Sequence, residues 1–145
     1  SVKIPIVAAG GIADARGIKA ALALGADAVQ MGTAFLATAQ SNASPDHKDK
    51  LFSPEAKYTT LTKVFTGRLS RGIRNRLTEE LKDHQNLLAP YPLQSKFMGL
   101  LKAYPATAKS NPDFKAYWAG QSASLLKYRD AKILMEALVK EMNGN

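Results

Sequence analysis

The sequence predicts an α/β fold that opens with two parallel strands and continues into a mostly helical segment. An apolar run at 4–9 and a second short predicted strand at 28–31 are each followed by glycine, and an amphipathic stretch separates them. Strand, helix and strand within about thirty residues is the spacing of a βαβ unit. Apolar residues three and four apart in the last third of the chain favour helices there.

The first unit begins with the apolar run at 4–9, which predicts a strand buried on both faces of a parallel sheet. Gly10 and Gly11 follow it and allow the backbone to turn sharply. Asp14 has the side chain of a helix N-cap, and Gly25 lies where a helix commonly ends in a left-handed residue. These residues therefore predict a strand, a glycine turn and a capped helix.

The second strand, at 28–31, is followed by Gly32 and Thr33. In an α/β barrel, ligands lie at the carboxyl ends of the strands, and the loops after the last two strands often bind phosphate. Such loops need bare backbone N–H groups near a helix N-terminus, where partial positive charge favours a dianion. Both glycine loops meet that need, and the Thr33 hydroxyl adds a donor. The alternative is a pair of tight turns in which glycine only lets a helix pack closely.

The middle of the chain is more polar and predicts short elements. Ser-Pro pairs at 44–45 and 53–54 predict the starts of two short helices. β-branched and aromatic residues at 59–65 predict a strand. A helix is predicted over 71–86, because apolar residues recur four apart on one face: Ile73, Leu77 and Leu81.

The last third predicts several helices. One amphipathic helix is expected from the spacing of four residues: Phe97, Leu100, Leu101 and Tyr104. Shorter helices are predicted at 113–118 and 122–128, on either side of Gly120. Asp130 is the predicted N-cap of a final helix.

Composition narrows the class of protein. The chain has 145 residues, 46% of them hydrophobic, which suits one domain with a core, and it begins with Ser-Val-Lys, which favours a piece of a larger protein. No apolar run reaches about 18 residues, so no membrane span is predicted. No secretory signal is recognisable. The absence of cysteine excludes disulfides and thiolate nucleophiles, and these features together favour a cytoplasmic protein.

Basic residues give the chain a net charge of +8, which could attract nucleic acid or an anionic ligand. The densest basic cluster, at 68–76, is followed directly by Glu79, Glu80 and Asp83. A solvated, partly self-neutralised face is therefore favoured over a nucleic-acid site. A basic binding module without catalysis stays open as an alternative.

Several runs resemble the nitronate monooxygenase family, in the right order along nearly the whole chain. The first three are PIVAAGGIAD at 5–14, AALALGA at 20–26 and VQMGTAF at 29–35. The later ones are TLTKVFTGR at 60–68, RGIRNR at 71–76, YPLQ at 91–94 and WAGQ at 118–121. One departure is Ala15, where the family often has glycine.

The resemblance implies the C-terminal portion of an FMN-binding TIM (β/α)8 barrel, followed by a mostly helical segment. Residues 1–40 would form the last two strand–helix units with the FMN phosphate loops, 41–88 a connecting segment, and 89–145 the helical segment. Six residues would contact FMN, chiefly its phosphate: Gly10, Gly11, Gln30, Met31, Gly32 and Thr33.

The activity implied by the resemblance is oxidation of alkyl nitronates by O2 to a carbonyl compound and nitrite. The partners would be the nitronate, O2 and the N-terminal remainder of the barrel, with a homo-oligomer left open and neither nucleic acid nor membrane expected. A related flavin barrel that reduces an enoyl thioester, or a quinone with NAD(P)H, shares the glycine loops and stays an alternative. The 145 residues alone are expected to be inactive, because two strands cannot close a barrel.

No catalytic residue is assigned from this sequence. The family's catalytic histidine belongs to an upstream motif that these residues do not contain, and His47 and His84 are interpreted as surface histidines. No metal site is predicted. Tyr91, Trp118 and Gln121 could lie on the substrate side, although packing of the C-terminal segment is the favoured role of both aromatic residues.

Overall fold

A computed structural model describes residues 3–104 and 111–144. The chain divides into two compact units, the first formed by Ser1–Lys57 with Ala119–Asn145 and the second by Tyr58–Trp118. The boundaries of these units differ from those of the three sequence segments at 1–40, 41–88 and 89–145. The assignment of those segments to parts of a barrel stays a prediction. The described residues combine strands and helices, as an α/β fold requires.

The regular elements of the described residues are short. The strands are β1 (Val7–Ala9), β2 (Ala28–Gln30), β3 (Thr59–Thr62) and β4 (Ser70–Ile73). The α-helices are α1 (Ala15–Ala23), α2 (Thr33–Leu36), α3 (Pro45–Leu51), α4 (Arg76–Glu80), α5 (Leu93–Ala103) and α6 (Ala131–Met142). Single 3-10 turns occur at Pro54–Lys57, Gln85–Leu87, Pro112–Phe114 and Ala123–Leu125.

The first unit contains the predicted βαβ arrangement. Strands β1 and β2 pair in parallel, with Ala8 opposite Val29, and α1 connects them. The Asp14 carboxylate caps α1 by accepting from the Gly17 amide at 3.0 Å. Gly25 follows α1 with a φ of +98°, the left-handed region in which glycine has no steric cost. The predicted strand, cap and glycine stop are confirmed.

Helix α6 packs against α1 and closes the core of the first unit. Its buried Leu134 and Leu138 meet Ala15 and Ala34 in one apolar cluster. The Asp130 carboxylate accepts from the Lys132 and Ile133 amides at 2.9 and 3.0 Å, which confirms its predicted role as the N-cap. The cluster thus includes residues of α1 and α2, the helices that follow the two glycine loops.

The prediction that β1 is buried on both faces is wrong for this chain. Ile4 is 70% exposed and Val7 56% exposed. The reason is that β1 pairs with β2 alone among the described strands, so its other edge has no neighbouring strand. An apolar run shows that a strand prefers burial, but the covering surface has to come from other residues.

The second unit is built on an antiparallel hairpin, and the helix predicted over 71–86 is confirmed only at Arg76–Glu80. Its first residues belong to β4, and its last ones to the 3-10 turn Gln85–Leu87. Strand β4 pairs with β3, so that Ile73 lies opposite Thr59. Asn75 then starts α4 with a capping box, in which its side chain accepts from the Thr78 amide and the Thr78 hydroxyl accepts from the Asn75 amide. The four-residue apolar spacing therefore groups Ile73 of β4 by coincidence with Leu77 of α4 and with Leu81, the residue that ends α4.

Helix α5 confirms the predicted helix but buries a different face. Its buried residues are Gln94 and Met98, whereas Phe97 is 60% exposed and Leu100 72% exposed. The Gln94 side chain donates to the Val64 carbonyl at 2.7 Å and accepts from the Ala89 amide at 3.0 Å. Satisfied hydrogen bonds let this polar side chain enter the core, so the face with Gln94 turns inward.

The α-helices predicted at 113–118 and 122–128 are also wrong. Each region contains a single 3-10 turn, Pro112–Phe114 and Ala123–Leu125, and is otherwise irregular. Trp118 instead forms an isolated antiparallel bridge with Gly72 of β4.

The predicted starts at the Ser-Pro pairs are confirmed by α3 and by the turn at Pro54–Lys57. No helix among residues 3–104 and 111–144 is both long enough and apolar enough to cross a membrane.

Candidate functional site

The two glycine loops of the first unit meet at one open cavity of about 220 Å³, which we call the glycine cavity. One wall comes from the loop after β1, and another from the loop after β2. A third wall comes from the chain just before the turn Ala123–Leu125. Its lining residues are Ala9, Gly10, Gly11, Ile12, Gln30, Gly32, Thr33, Gly120 and Ser122.

Backbone conformation makes glycine necessary in the first loop. Gly10 and Gly11 have φ values of +100° and +70°, which side-chain-bearing residues rarely adopt. A Cβ atom added to either residue, or to Gly32, would meet no protein atom within 4 Å. The space beside these three residues is thus left open, and a ligand can approach the bare backbone closely.

Backbone donors at the cavity are unused by the protein. Across the described parts of the chain, the amides of Gly11, Gly32 and Thr33 donate to no protein acceptor. Residues with unpaired amides that line one opening suit an anion with several acceptor oxygens. No lining side chain is charged, so no carboxylate opposes such a ligand.

Gln30 and Met31 take different positions. Gln30 lines the glycine cavity. Met31 packs against the apolar cluster between α1 and α6, beside Ile18 and Phe35. This difference follows from strand geometry, because successive side chains of a strand point to opposite faces. A contact between Met31 and FMN stays a prediction.

Gly120 and Ser122 line the cavity, although sequence reasoning did not assign either of them to it. The Gly120 amide donates to the Thr33 hydroxyl at 2.8 Å. Ser122 is 7% exposed. The only sequence signal was the run at 118–121, which includes Gly120 and ends one residue before Ser122.

Asp14 anchors the helix that follows the first glycine loop. The Arg16 side chain, which donates to its carboxylate at 2.7 Å, holds the pKa of Asp14 below the ordinary 3.8, and the Gly17 amide adds to that shift. Because the pKa of Asp14 is lower in the folded state, a falling pH protonates its carboxylate in the unfolded chain before it does so in the folded chain. The stabilisation is complete above pH 3.8 and is lost as the pH falls below it.

We therefore expect Asp14→Ala to lower the free energy of unfolding by about 1 kcal/mol at neutral pH. The difference between parent and variant should shrink as the pH falls through the acid range, because the parent loses its charged cap. Urea unfolding of both proteins at a series of pH values measures this difference. A gap that stays constant down to strongly acid pH would contradict the assignment.

The residues predicted for the substrate side, Tyr91, Trp118 and Gln121, lie apart from the glycine loops in the sequence. Tyr91 and Trp118 belong to the second unit. Tyr91 is 55% exposed and has the Arg68 guanidinium 5.1 Å from its ring centre. Trp118 packs edge-on against Phe65 at 5.7 Å, which agrees with the favoured packing role. Gln121 is exposed beside Gly120, and the substrate role of all three stays a prediction.

The two histidines differ in exposure. His84 is exposed, as predicted, whereas His47 is half-buried on α3, because one side of that short helix packs on the first unit. Neither lines the glycine cavity. The described residues contain no group of three or more His, Asp or Glu side chains that could hold a metal ion.

The basic cluster at 68–76 is largely engaged with the protein itself. Arg76 pairs with Glu80 at 2.7 Å, and Arg74 approaches Glu79 at 3.7 Å. Arg71 donates to the Thr59 hydroxyl at 3.2 Å across the hairpin. These contacts agree with the predicted self-neutralised face.

Comparisons with known proteins give a consistent result. The family model described as nitronate monooxygenase matches residues 1–141. A probable nitronate monooxygenase of Staphylococcus aureus (strain JH9) is 37% identical over 142 residues, which are 98% of this chain and 40% of that protein. The chain therefore spans about two fifths of the length of the curated relatives it matches.

Two solved structures are also similar to this chain along nearly its whole length. The chain is similar to nitroalkane oxidase from Streptomyces ansochromogenes with a TM-score of 0.85 and 41% identity, over 98% of this chain and 40% of that one. It is similar to FabK from Thermotoga maritima with a TM-score of 0.77 and 34% identity, over 98% and 45%. Because the family model matches nearly every residue, the chain belongs to the nitronate monooxygenase family.

Proposed function

We propose that this chain holds the phosphate of FMN in the glycine cavity, and that the whole protein oxidises alkyl nitronates with O2 to a carbonyl compound and nitrite. The observation that carries the proposal is that residues of two glycine loops, whose amides have no protein acceptor in the described structure, line one opening. Family membership supports the reaction. The proposed phosphate ligands are Gly10, Gly11, Gly32 and Thr33, with Gln30 beside them.

The donors fit a phosphate group chemically. A phosphate monoester presents only acceptor oxygens and carries negative charge, and the cavity offers backbone N–H groups and hydroxyls without an opposing carboxylate. Flavin, when bound, supplies the electron-carrying chemistry that amino acids lack.

The residues of this chain are assigned to binding and not to proton transfer. Gly11, Gly32 and Thr33 would fix the phosphate and thereby the position of the flavin ring. A proton-transferring group is not proposed among the described residues, because no histidine or carboxylate lines the cavity. The remainder of a barrel, a cytoplasmic location and a homo-oligomeric state stay predictions.

The test uses the whole protein and two assays. Nitrite release from an alkyl nitronate under air supports the proposal, and absence of nitrite at every nitronate concentration would defeat the nitronate reaction. Oxidation of NAD(P)H by a quinone or an enoyl thioester in that case would select the reductase alternative. Purified protein without flavin absorbance, combined with polyanion binding that weakens steeply with salt, would select the basic binding module.

A further inference from the structure

The chain around Gly120 reaches both glycine loops of the first unit. Thr33 and Gly120 are 87 residues apart in sequence, yet the Gly120 amide donates to the Thr33 hydroxyl at 2.8 Å. A Cβ on Gly120 would lie 3.3 Å from that hydroxyl and 3.9 Å from the Gly11 amide nitrogen. Residues 120–122 are thus a third wall of the cavity, and glycine at 120 lets them approach closely.

The contact with Gly120 also orients the Thr33 hydroxyl. A hydroxyl has one proton to donate and two lone pairs to accept with. One lone pair accepts from Gly120, and within the described parts of the chain the Thr33 side chain donates to no protein acceptor. Its proton is therefore available to an acceptor in the cavity.

Ser122 offers a second hydroxyl in the same cavity. It is 7% exposed and begins the turn Ala123–Leu125 without a side-chain capping bond. In the described structure the Ser122 hydroxyl makes no hydrogen bond to the protein. Every fully enclosed side-chain oxygen or nitrogen of the described residues has a partner, so the Ser122 oxygen is not fully enclosed. The hydroxyl therefore keeps its access to the cavity, where a ligand oxygen would satisfy it.

We propose that Ser122 is a phosphate-binding residue of this site, donating its hydroxyl proton to a terminal phosphate oxygen, and that Gly120 is the positioning residue that turns the Thr33 hydroxyl toward the same group. This inference rests on the proposed function, because it deepens the FMN site described above. It predicts recognition of the phosphate and not of the isoalloxazine ring.

The experiment compares FMN with riboflavin, which lacks the phosphate. Dissociation constants of both are measured by flavin fluorescence for the whole protein and for Ser122→Ala. We expect the Kd of FMN to rise about tenfold, as for loss of one hydrogen bond to a charged group. The Kd of riboflavin should stay within about twofold.

Two further variants sharpen the test. Ser124→Ala removes an exposed hydroxyl from the same turn, outside the glycine cavity, and should leave both constants unchanged. Gly120→Ala places a methyl group against the Thr33 hydroxyl and should weaken FMN more than riboflavin. A merely structural role of either residue would change both flavins equally.

An unchanged ratio of FMN to riboflavin affinity in Ser122→Ala overturns the inference while the proposed function stands. A parent protein that binds neither flavin defeats the proposed function, and the inference falls with it. A loss of FMN affinity alone in Ser122→Ala and Gly120→Ala, with Ser124→Ala unaffected, supports both.

Discussion

Substitution of Gly10 by alanine is expected to raise the Kd of FMN by tenfold or more, about 1.4 kcal/mol of binding free energy. Gly10 lines the glycine cavity with a φ of +100°, and its missing side chain leaves the space beside it open. An added methyl group would occupy the approach to the backbone and strain the loop by roughly 1–3 kcal/mol. Fluorescence titration of flavin and urea unfolding of the whole protein measure the two effects separately.

Gly25→Ala is the matched control for Gly10→Ala. Gly25 has a φ of +98°, and a Cβ there also meets no protein atom within 4 Å. It lies before β2, at the other end of the strand from Gly32, and does not line the cavity. Both variants should lose similar stability, but only Gly10→Ala should lose FMN. Equal FMN affinity in the two variants would show that the first glycine loop does not hold the cofactor.

The two main walls of the glycine cavity could be predicted from the sequence, whereas the third could not. Gly10, Gly11 and Gly32 are visible because glycine directly after an apolar run indicates a sharp turn at the end of a strand. Gly120 and Ser122 reach the same cavity through a contact between residues 87 apart, which no local pattern encodes. A buried serine is also indistinguishable from a surface serine in a single sequence.

The errors in the second unit have a related cause. Ile73, Leu77 and Leu81 have helical spacing, but Ile73 pairs with Thr59 in the hairpin and Asn75 starts the helix behind it. Capping chemistry at Asn75 was therefore the better signal, because a cap fixes a boundary that apolar spacing leaves undefined. Pairing of β4 with β3 explains why Ile73 and the residues just before it are not helical.

Exposed apolar faces mark where sequence patterns and this structure diverge. An apolar run predicts β1 and apolar spacing predicts α5, but neither pattern shows which side chains the protein covers. Val7 on β1 and Phe97 on α5 are 56% and 60% exposed. Apolar residues predict a demand for burial, and only a structure shows whether the described residues meet that demand.

Gly67→Ala is expected to lower the free energy of unfolding by at least about 3 kcal/mol, because it combines backbone strain with a steric clash against neighbouring backbone atoms. Gly67 has a φ of +85°, where a side chain is strained. A Cβ there would lie 2.5 Å from the Tyr91 nitrogen and 2.7 Å from the Ala89 carbonyl oxygen. These are backbone atoms of the chain leading into α5, so relief requires the loop itself to move. Urea unfolding measures the loss.

Gly99→Ala is the opposite case within the same unit. Gly99 lies inside α5, and a Cβ there meets no protein atom within 4 Å. Alanine should stabilise the protein by roughly 0.5–1 kcal/mol, because glycine is the poorer helix former. A Gly67→Ala protein as stable as the parent would mean that the chain at Ala89–Tyr91 does not pack on the β3–β4 turn. Reduced stability in Gly67→Ala with increased stability in Gly99→Ala would instead tie the effect to the backbone contact, since both changes add the same methyl group.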